Sequence, residues 1–347
     1  MSLRRELRAA GGFAFGLLGF FLAFVHRGGL LVAPFAVLGA ALLFGAVLAI
    51  RERPRTRSRS WRWGRRALTL VTAIVVLLFV VTPIGAGIWV TQAPRDAVRP
   101  FALSHEDVVL HTRDGLDLAA WYVPSENGAA VVVAHGGGGT RNGSERHARM
   151  LARAGYGVLL YDARGNGESE GRHDAMGWTW EPDVHAAVDY LSHRRDVTRG
   201  IGALGLSTGA EAVLQAAARS EQIDAVVADG AIARNLAETR QLDGADELQG
   251  VPYYGLLYGT IRTLTGAHQP PPLQELLPQI APRPVLLIAT GTGPEQTMNR
   301  AYHRAAPETS LWELPQVAHT AGLRERPDAY ERKVIRFFDG ALLHLGA

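Results

Sequence analysis

Hydrophobic positions divide the chain into two regimes. The first quarter holds three long uncharged runs, Ala9–Val25, Gly29–Ile50 and Ala67–Val90. A helix that crosses a bilayer core needs about 20 apolar residues, with a range of about 17–25. The second and third runs meet this length and the first reaches its lower limit. Pro34 and Pro83 lie near the ends of their runs, where a membrane helix tolerates them. Three consecutive runs of this kind are hard to bury in a soluble core. The pattern therefore predicts a transmembrane region over residues 1–91, with helices at about 9–25, 29–50 and 67–90. Residues 92–103, with Pro94 and Pro100, read as a linker. Beyond them the runs are short and alternate in kind. Asp107–His111 and Leu116–Val123 read as strands joined at Arg113-Asp114-Gly115 into a hairpin. Ala130–Ala134 is a continuous β-branched run that suits a strand buried on both faces, and Gly157–Tyr161, Ile201–Leu206, Ala225–Ala228, Val285–Ala289 and Ser310–Glu313 read as further strands. Between them Ser144–Ala154, Pro182–His193, Thr208–Arg219 and Asp328–Leu343 carry helical spacing. Strand–helix alternation predicts an α/β fold, a mostly parallel sheet with helices on both faces, over residues 104–347. The alternation breaks at about 231–282, which reads as a cap-like insertion.

Charge sets the topology. The chain has 347 residues and a net charge of +3, but residues 1–91 carry twelve Arg against Glu6 and Glu52, and the remainder carries 24 basic against 31 acidic residues. An acidic C-terminal part would repel phosphate, so no nucleic-acid partner is expected. Eight Arg lie in the loop Arg51–Arg66. Short loops rich in Arg stay in the cytoplasm. Three crossings then put everything after residue 91 on the outer side of a cell membrane. Arg4-Arg5 with the first run also has features of an export signal, but the second and third runs argue against a simple cleaved leader. The chain has no Cys, which excludes disulfides, thiolate metal sites and Cys nucleophiles. It has no His pair at metal-ligand spacing, so neither metal nor cofactor is expected.

The chemistry lies in the second regime. Gly205-Leu206-Ser207-Thr208-Gly209 fits G-x-S-x-G, directly after an expected strand and opening an expected helix. Small residues at both ends allow a sharp turn that lifts a Ser hydroxyl above the sheet edge, at the positive end of the helix dipole. His135-Gly136-Gly137-Gly138-Gly139 follows another strand. Its backbone N–H groups suit an oxyanion hole, with Thr208 N–H as first donor and Gly137 N–H as second, Gly136 being the fallback. His135 suits a brace for this loop. A nucleophilic Ser needs a base and a carboxylate to orient that base. His319, after the last strand, fits the base. Glu295, in the loop after Val285–Ala289, fits the acid by chain order. Asp229, at the end of its strand, is the alternative, and Glu308 a distant third.

On these residues the segment from about 104 to 345 resembles the α/β-hydrolase superfamily. The turn Tyr161–Ser169 is similar to the D-x-R-G-x-G-x-S turn of that family, and its layout resembles the dienelactone hydrolases, which use Cys where this chain has Ser207. Epoxide hydrolases and dehalogenases use Asp there. The family's acid usually falls three residues after Gly291, where this chain has Pro294, and Glu295 comes one residue late. The resemblance implies a membrane-anchored serine hydrolase that cleaves an acyl ester of a small molecule or lipid through an acyl-enzyme. A peptidase on the same fold and a binding or scaffold protein without turnover are the alternatives. The acyl group, the leaving group and the oligomeric state are not specified by these motifs.

Overall fold

The computed structural model of the protein describes residues 59–61, 63–64, 67–68, 77–92, 95–171, 176–242, 245–291 and 293–343. The expected membrane helices at 9–25 and 29–50 lie outside the described residues, as do residues 69–76 of the third. Among the described residues no helix is long and apolar enough to cross a membrane. The helices are α1 (Thr82–Gln92), α2 (Glu145–Arg153), α3 (Glu181–Ser192), α4 (Thr208–Arg219), α5 (Ala245–Thr265), α6 (Pro294–Ala305) and α7 (Pro327–Phe338), apart from single turns. Contacts group the chain into two units, Met1–Trp89 with Ala245–Thr260, and Val90–Gly244 with Ile261–Ala347.

In the first unit α1 continues from a wide π turn, Leu77–Val81. Pro83 has no N–H to donate, and a wide turn just before it avoids the clash with the preceding carbonyl. The N-terminal part of α5 belongs to the same unit.

The second unit is built on an eight-stranded sheet, β1 (Glu106–His111), β2 (Asp117–Val123), β3 (Ala130–Ala134), β4 (Gly157–Tyr161), β5 (Ile201–Leu206), β6 (Ala225–Asp229), β7 (Val285–Thr290) and β8 (Ser310–Leu314). The spatial order is β1-β2-β4-β3-β5-β6-β7-β8. β1 pairs antiparallel with β2 and β2 with β4, and every later pairing is parallel. Alternate residues of each run enter different cores. Val132, Ala134, Leu159, Val226 and Leu287 pack with α3, α4 and α6 through Val188, Val213 and Met298. Val131, Val133, Leu160, Val227 and Ile288 pack with α2 and α7 through Leu151 and Val334. A strand covered on both faces has no polar side to show, which is why these segments read as unbroken apolar runs.

Two local features depart from the sequence pattern. Residues 95–103, expected as a linker, are strapped to the sheet unit. The Arg95 guanidinium donates to the carbonyls of Ser169 (2.7 Å) and Gly171. Arg99 N–H donates to Asn142 Oδ1 at 2.8 Å, Asn142 Nδ2 returns a bond to Arg99 O at 2.9 Å, and Phe101 stacks on Trp121 with centroids 5.1 Å apart. The segment holding Glu295, expected as a loop, is the first turn of α6. The turn after β4 is a brace. Asp162 accepts from Arg141 N–H (2.7 Å), from the Arg141 guanidinium and from Glu168 N–H (2.9 Å), while Arg164 donates to Asp183 (2.7 Å) and Asp114 (3.0 Å).

Candidate active site

Ser207 stands between β5 and α4 with φ 52° and ψ −121°. A side-chain-bearing residue at positive φ is strained, and such strain persists only where its surroundings over-determine it. The flanking glycines make the turn possible. A Cβ on Gly205 would lie 2.3 Å from Gly209 O, and one on Gly209 would lie 2.5 Å from the carbonyl oxygens of both Ala134 and His135. Helix and strands approach too closely here for any side chain. Ser207 N–H is fixed to Asp229 O at 2.8 Å.

His319 follows β8 on a turn whose next residue, Thr320, is also at positive φ, 52°. The Ser207 hydroxyl donates to His319 Nε2 at 2.9 Å, and His319 Nδ1–H donates to Glu295 Oε2 at 2.6 Å. The other carboxylate oxygen of Glu295 accepts from Thr290 N–H (2.5 Å) and Thr290 Oγ–H (2.9 Å). Thr320 N–H in turn donates to Thr290 Oγ at 2.9 Å. One threonine at the end of β7 therefore ties the acid's helix to the turn that carries the imidazole. Nothing in the motif pattern singled out Thr290. Glu295 is buried, whereas the imidazole is 46% exposed, so the nucleophile end of the chain is open to a substrate. The hydrogen bond to Glu295 raises the His319 pKa above its usual value, against the lowering effect of burial, and the charges of Glu295 and Asp229 raise it further.

Asp229, the alternative acid, makes no such bond to His319. Its Oδ2 accepts from Tyr330 Oη–H at 2.8 Å, and its Oδ1 is buried without a hydrogen-bond partner. Burial pushes its carboxyl up to about 7, with the nearby Glu295 charge adding to the effect. Glu308 is exposed in the turn between α6 and β8.

Gly136 and Gly137 lie beside the nucleophile turn. A Cβ on Gly136 would be 3.4 Å from Ser207 Cβ, and one on Gly137 would be 2.9 Å from Thr208 Oγ1. Both glycines thus lie at the same corner as Ser207 and Thr208. His135 is buried with both ring nitrogens engaged. Nδ1–H donates to Gly136 O at 2.7 Å and Nε2 accepts from Ala163 N–H at 3.0 Å. That pattern requires the neutral ring, and burial lowers its pKa accordingly. His135 fastens the glycine loop to the turn after β4. Among the described residues no group of His, Asp and Glu is arranged to hold a metal ion.

The arrangement has relatives. The profile of the X-Pro dipeptidyl-peptidase (S15) family matches residues 119–319, more than half of the chain, from β2 to the histidine. The uncharacterized protein YfhR of Escherichia coli K12 is 26% identical over 257 residues, 70% of this chain and 84% of its own length. The uncharacterized protein Rv2307c of Mycobacterium tuberculosis is 39% identical over 108 residues, 30% of this chain and 38% of its own. Among solved structures, the Pyrococcus furiosus esterase Pf2001 superposes with a TM-score of 0.58 at 21% identity, covering 72% of this chain and 98% of that one. The hypothetical protein PA2218 of Pseudomonas aeruginosa gives 0.56 at 21% identity, covering 72% and 98%. Those two likenesses concern the fold. The family profile concerns the chain itself: it is a member of the X-Pro dipeptidyl-peptidase (S15) family, a serine hydrolase on an α/β-hydrolase fold.

Proposed function

We propose that the protein is a membrane-anchored hydrolase of acyl esters, with Ser207 as nucleophile, His319 as general base and acid, and Glu295 as the orienting carboxylate. The observation that carries this is the continuous hydrogen-bonded line from Ser207 Oγ through both nitrogens of His319 to Glu295. Ser207 gives its proton to Nε2 as its oxygen attacks the acyl carbon. The carbonyl oxygen takes up negative charge, which Thr208 N–H and the Gly137 or Gly136 N–H stabilise. Collapse expels the alcohol, protonated by Nε2–H, and leaves Ser207 acylated. Water activated by the same nitrogen releases the acid. Glu295 keeps Nδ1 protonated and offsets the positive charge of the imidazolium.

The anchoring part of this reading rests on the three apolar runs and the arginine loop. It puts the hydrolase domain, residues 104–347 with its insertion at about 231–282, on the outer face of the cell membrane.

The family match favours a second reading, hydrolysis of a peptide bond after an X-Pro dipeptide. The same acyl-enzyme chemistry serves both bonds, so the leaving group decides. Initial rates on p-nitrophenyl esters of graded acyl length and on X-Pro p-nitroanilides separate the two. The ester reading expects kcat/KM for the best ester to exceed that for every X-Pro anilide even after the lability of p-nitrophenyl esters is normalised against the uncatalysed rates. A larger normalised acceleration on an X-Pro anilide would replace it with the peptidase reading.

A further inference from the structure

Large exposed apolar side chains are unevenly placed in this protein. Of the eight among the described residues, Val109 alone lies on the sheet, whereas Trp61, Trp63, Leu68, Val80, Trp89, Leu256 and Leu264 fall in residues 61–89 or on α5. Single exposed apolar residues need no explanation, but contiguous ones mark an interaction surface. The contact between α1 and α5 brings Leu256 of α5 beside α1, whereas Trp61 and Trp63 lie in the arginine loop and are no part of that surface. A Cβ on Gly87 would lie 2.8 Å from Thr260 Cβ and 3.2 Å from Leu257 O, so the two helices touch at a position open to glycine alone. Leu256 and Leu264 sit one turn before and one turn after Thr260 on α5. They therefore flank the crossing point on the same face of the helix, and remain 38% and 41% exposed there. Val80 lies about two turns before Gly87 and is exposed as well.

We infer that this face of α5 lies in the interface of a lipid bilayer, against the outer leaflet. The inference rests on the proposed anchoring. Gly87 is three residues from the end of the 24-residue uncharged run Ala67–Val90. At 1.5 Å per residue that places it about 5 Å inside the point where the run leaves hydrocarbon. A helix crossing at Gly87 lies at that depth, where the headgroup region meets the acyl chains. The composition of α5 suits it. Tyr253 and Tyr254, both half-buried, meet edge to face with centroids 5.4 Å apart, and tyrosines favour membrane interfaces. A chain seated on the bilayer in this way has acyl lipids at hand, and lipid-borne esters become the expected substrate class.

The absence of cysteine gives a direct test, because Leu256→Cys and Val109→Cys each create the sole thiol in the chain. The full-length variants are labelled with a nitrobenzoxadiazole dye and reconstituted into phosphatidylcholine nanodiscs, with and without lipid carrying a doxyl group near the headgroup. The label at position 256 should be quenched by doxyl lipid at least twofold more than the label at 109. Equal quenching at the two sites overturns the inference. So does a label at 256 that is blue-shifted but not quenched, which would show a second copy of the chain covering the face. Alkaline carbonate extraction of the wild-type membranes separates the two levels. Protein that stays in the pellet while position 256 is unquenched defeats this inference alone, and protein released to the supernatant defeats the anchoring reading beneath it.

Discussion

At the scale of single residues, the site depends on what each carboxyl does to the imidazole. In the proposed mechanism His319 is productive only when Nε2 is unprotonated, and its pKa is raised chiefly by the hydrogen bond it donates to Glu295. The acid limb of kcat/KM should therefore fall above the usual histidine value of about 6.5. Glu295→Gln removes the charge and permits the wrong tautomer. It should cost about 10⁴ in kcat and move the remaining acid limb to lower pH. A variant with wild-type kcat, or with an unmoved limb, would take Glu295 out of this role. Asp229 is a different case. Its folded-state pKa, about 7, lies above the 3.8 of an unperturbed Asp because ionisation in the buried site is unfavourable. The folded form holds the proton more tightly than the unfolded chain. Stability is then fullest below about pH 4 and is lost as pH rises through about 7. Asp229→Asn cannot ionise, so its Tm relative to wild type should rise between pH 4.5 and pH 8 while kcat changes by much less than in Glu295→Gln. Parallel Tm curves for the two proteins across that range would show that Asp229 does not titrate as described.

At the scale of elements, the nucleophile turn is set by contact distances as much as by hydrogen bonds. Gly209→Ala would drive a methyl group into two backbone carbonyls at the end of β3. Neither strand nor helix can yield cheaply, and the expected loss is at least the about 1–3 kcal/mol of an overpacked core. Gly143→Ala, where a Cβ meets nothing within 4 Å, should change urea stability by less than about 0.5 kcal/mol. Similar losses in the two variants would contradict the packing account. The strands were the most legible elements, because being covered on both faces writes an uninterrupted run into Val131–Val133 or Leu286–Ile288. Ser207 was legible for a related reason, since it follows such a run directly, and His319 through its place five residues after the last strand, β8. The N-terminus of α6 was not. Gly291, Gly293 and Pro294 look locally like a loop, yet Gly293 at φ 85° and Pro294 in the first turn start a helix. That start brings Glu295 to His319 although it falls one residue later than the family pattern. Helix α5 was hidden by Pro252, Gly255 and Gly259, which weaken the local helical signal while its buried side, Leu257, Tyr258 and Ile261, supplies packing that a local reading does not see. The hydrogen bonds of the strap at 95–103 reach partners 43 to 76 residues away, beyond any local pattern.

At the scale of the whole molecule, the charge distribution and the catalytic unit make separate commitments. Moving the loop Arg51–Arg66 with its eight Arg across a membrane opposes the strongest orienting signal in the sequence. Protease added to intact spheroplasts should therefore digest residues 104–347 and spare a cytosolic control. Full protection until lysis would place the domain inside and reverse the proposed topology. The central claim concerns Ser207, and it is tested most directly by intact-mass and peptide-level mass spectrometry of the full-length protein after a fluorophosphonate probe. The account predicts one phosphonyl adduct per chain, mapped to Ser207, and none on a folded Ser207→Ala variant. An adduct at another residue, or an unreactive Ser207 in protein that is demonstrably folded, would contradict it.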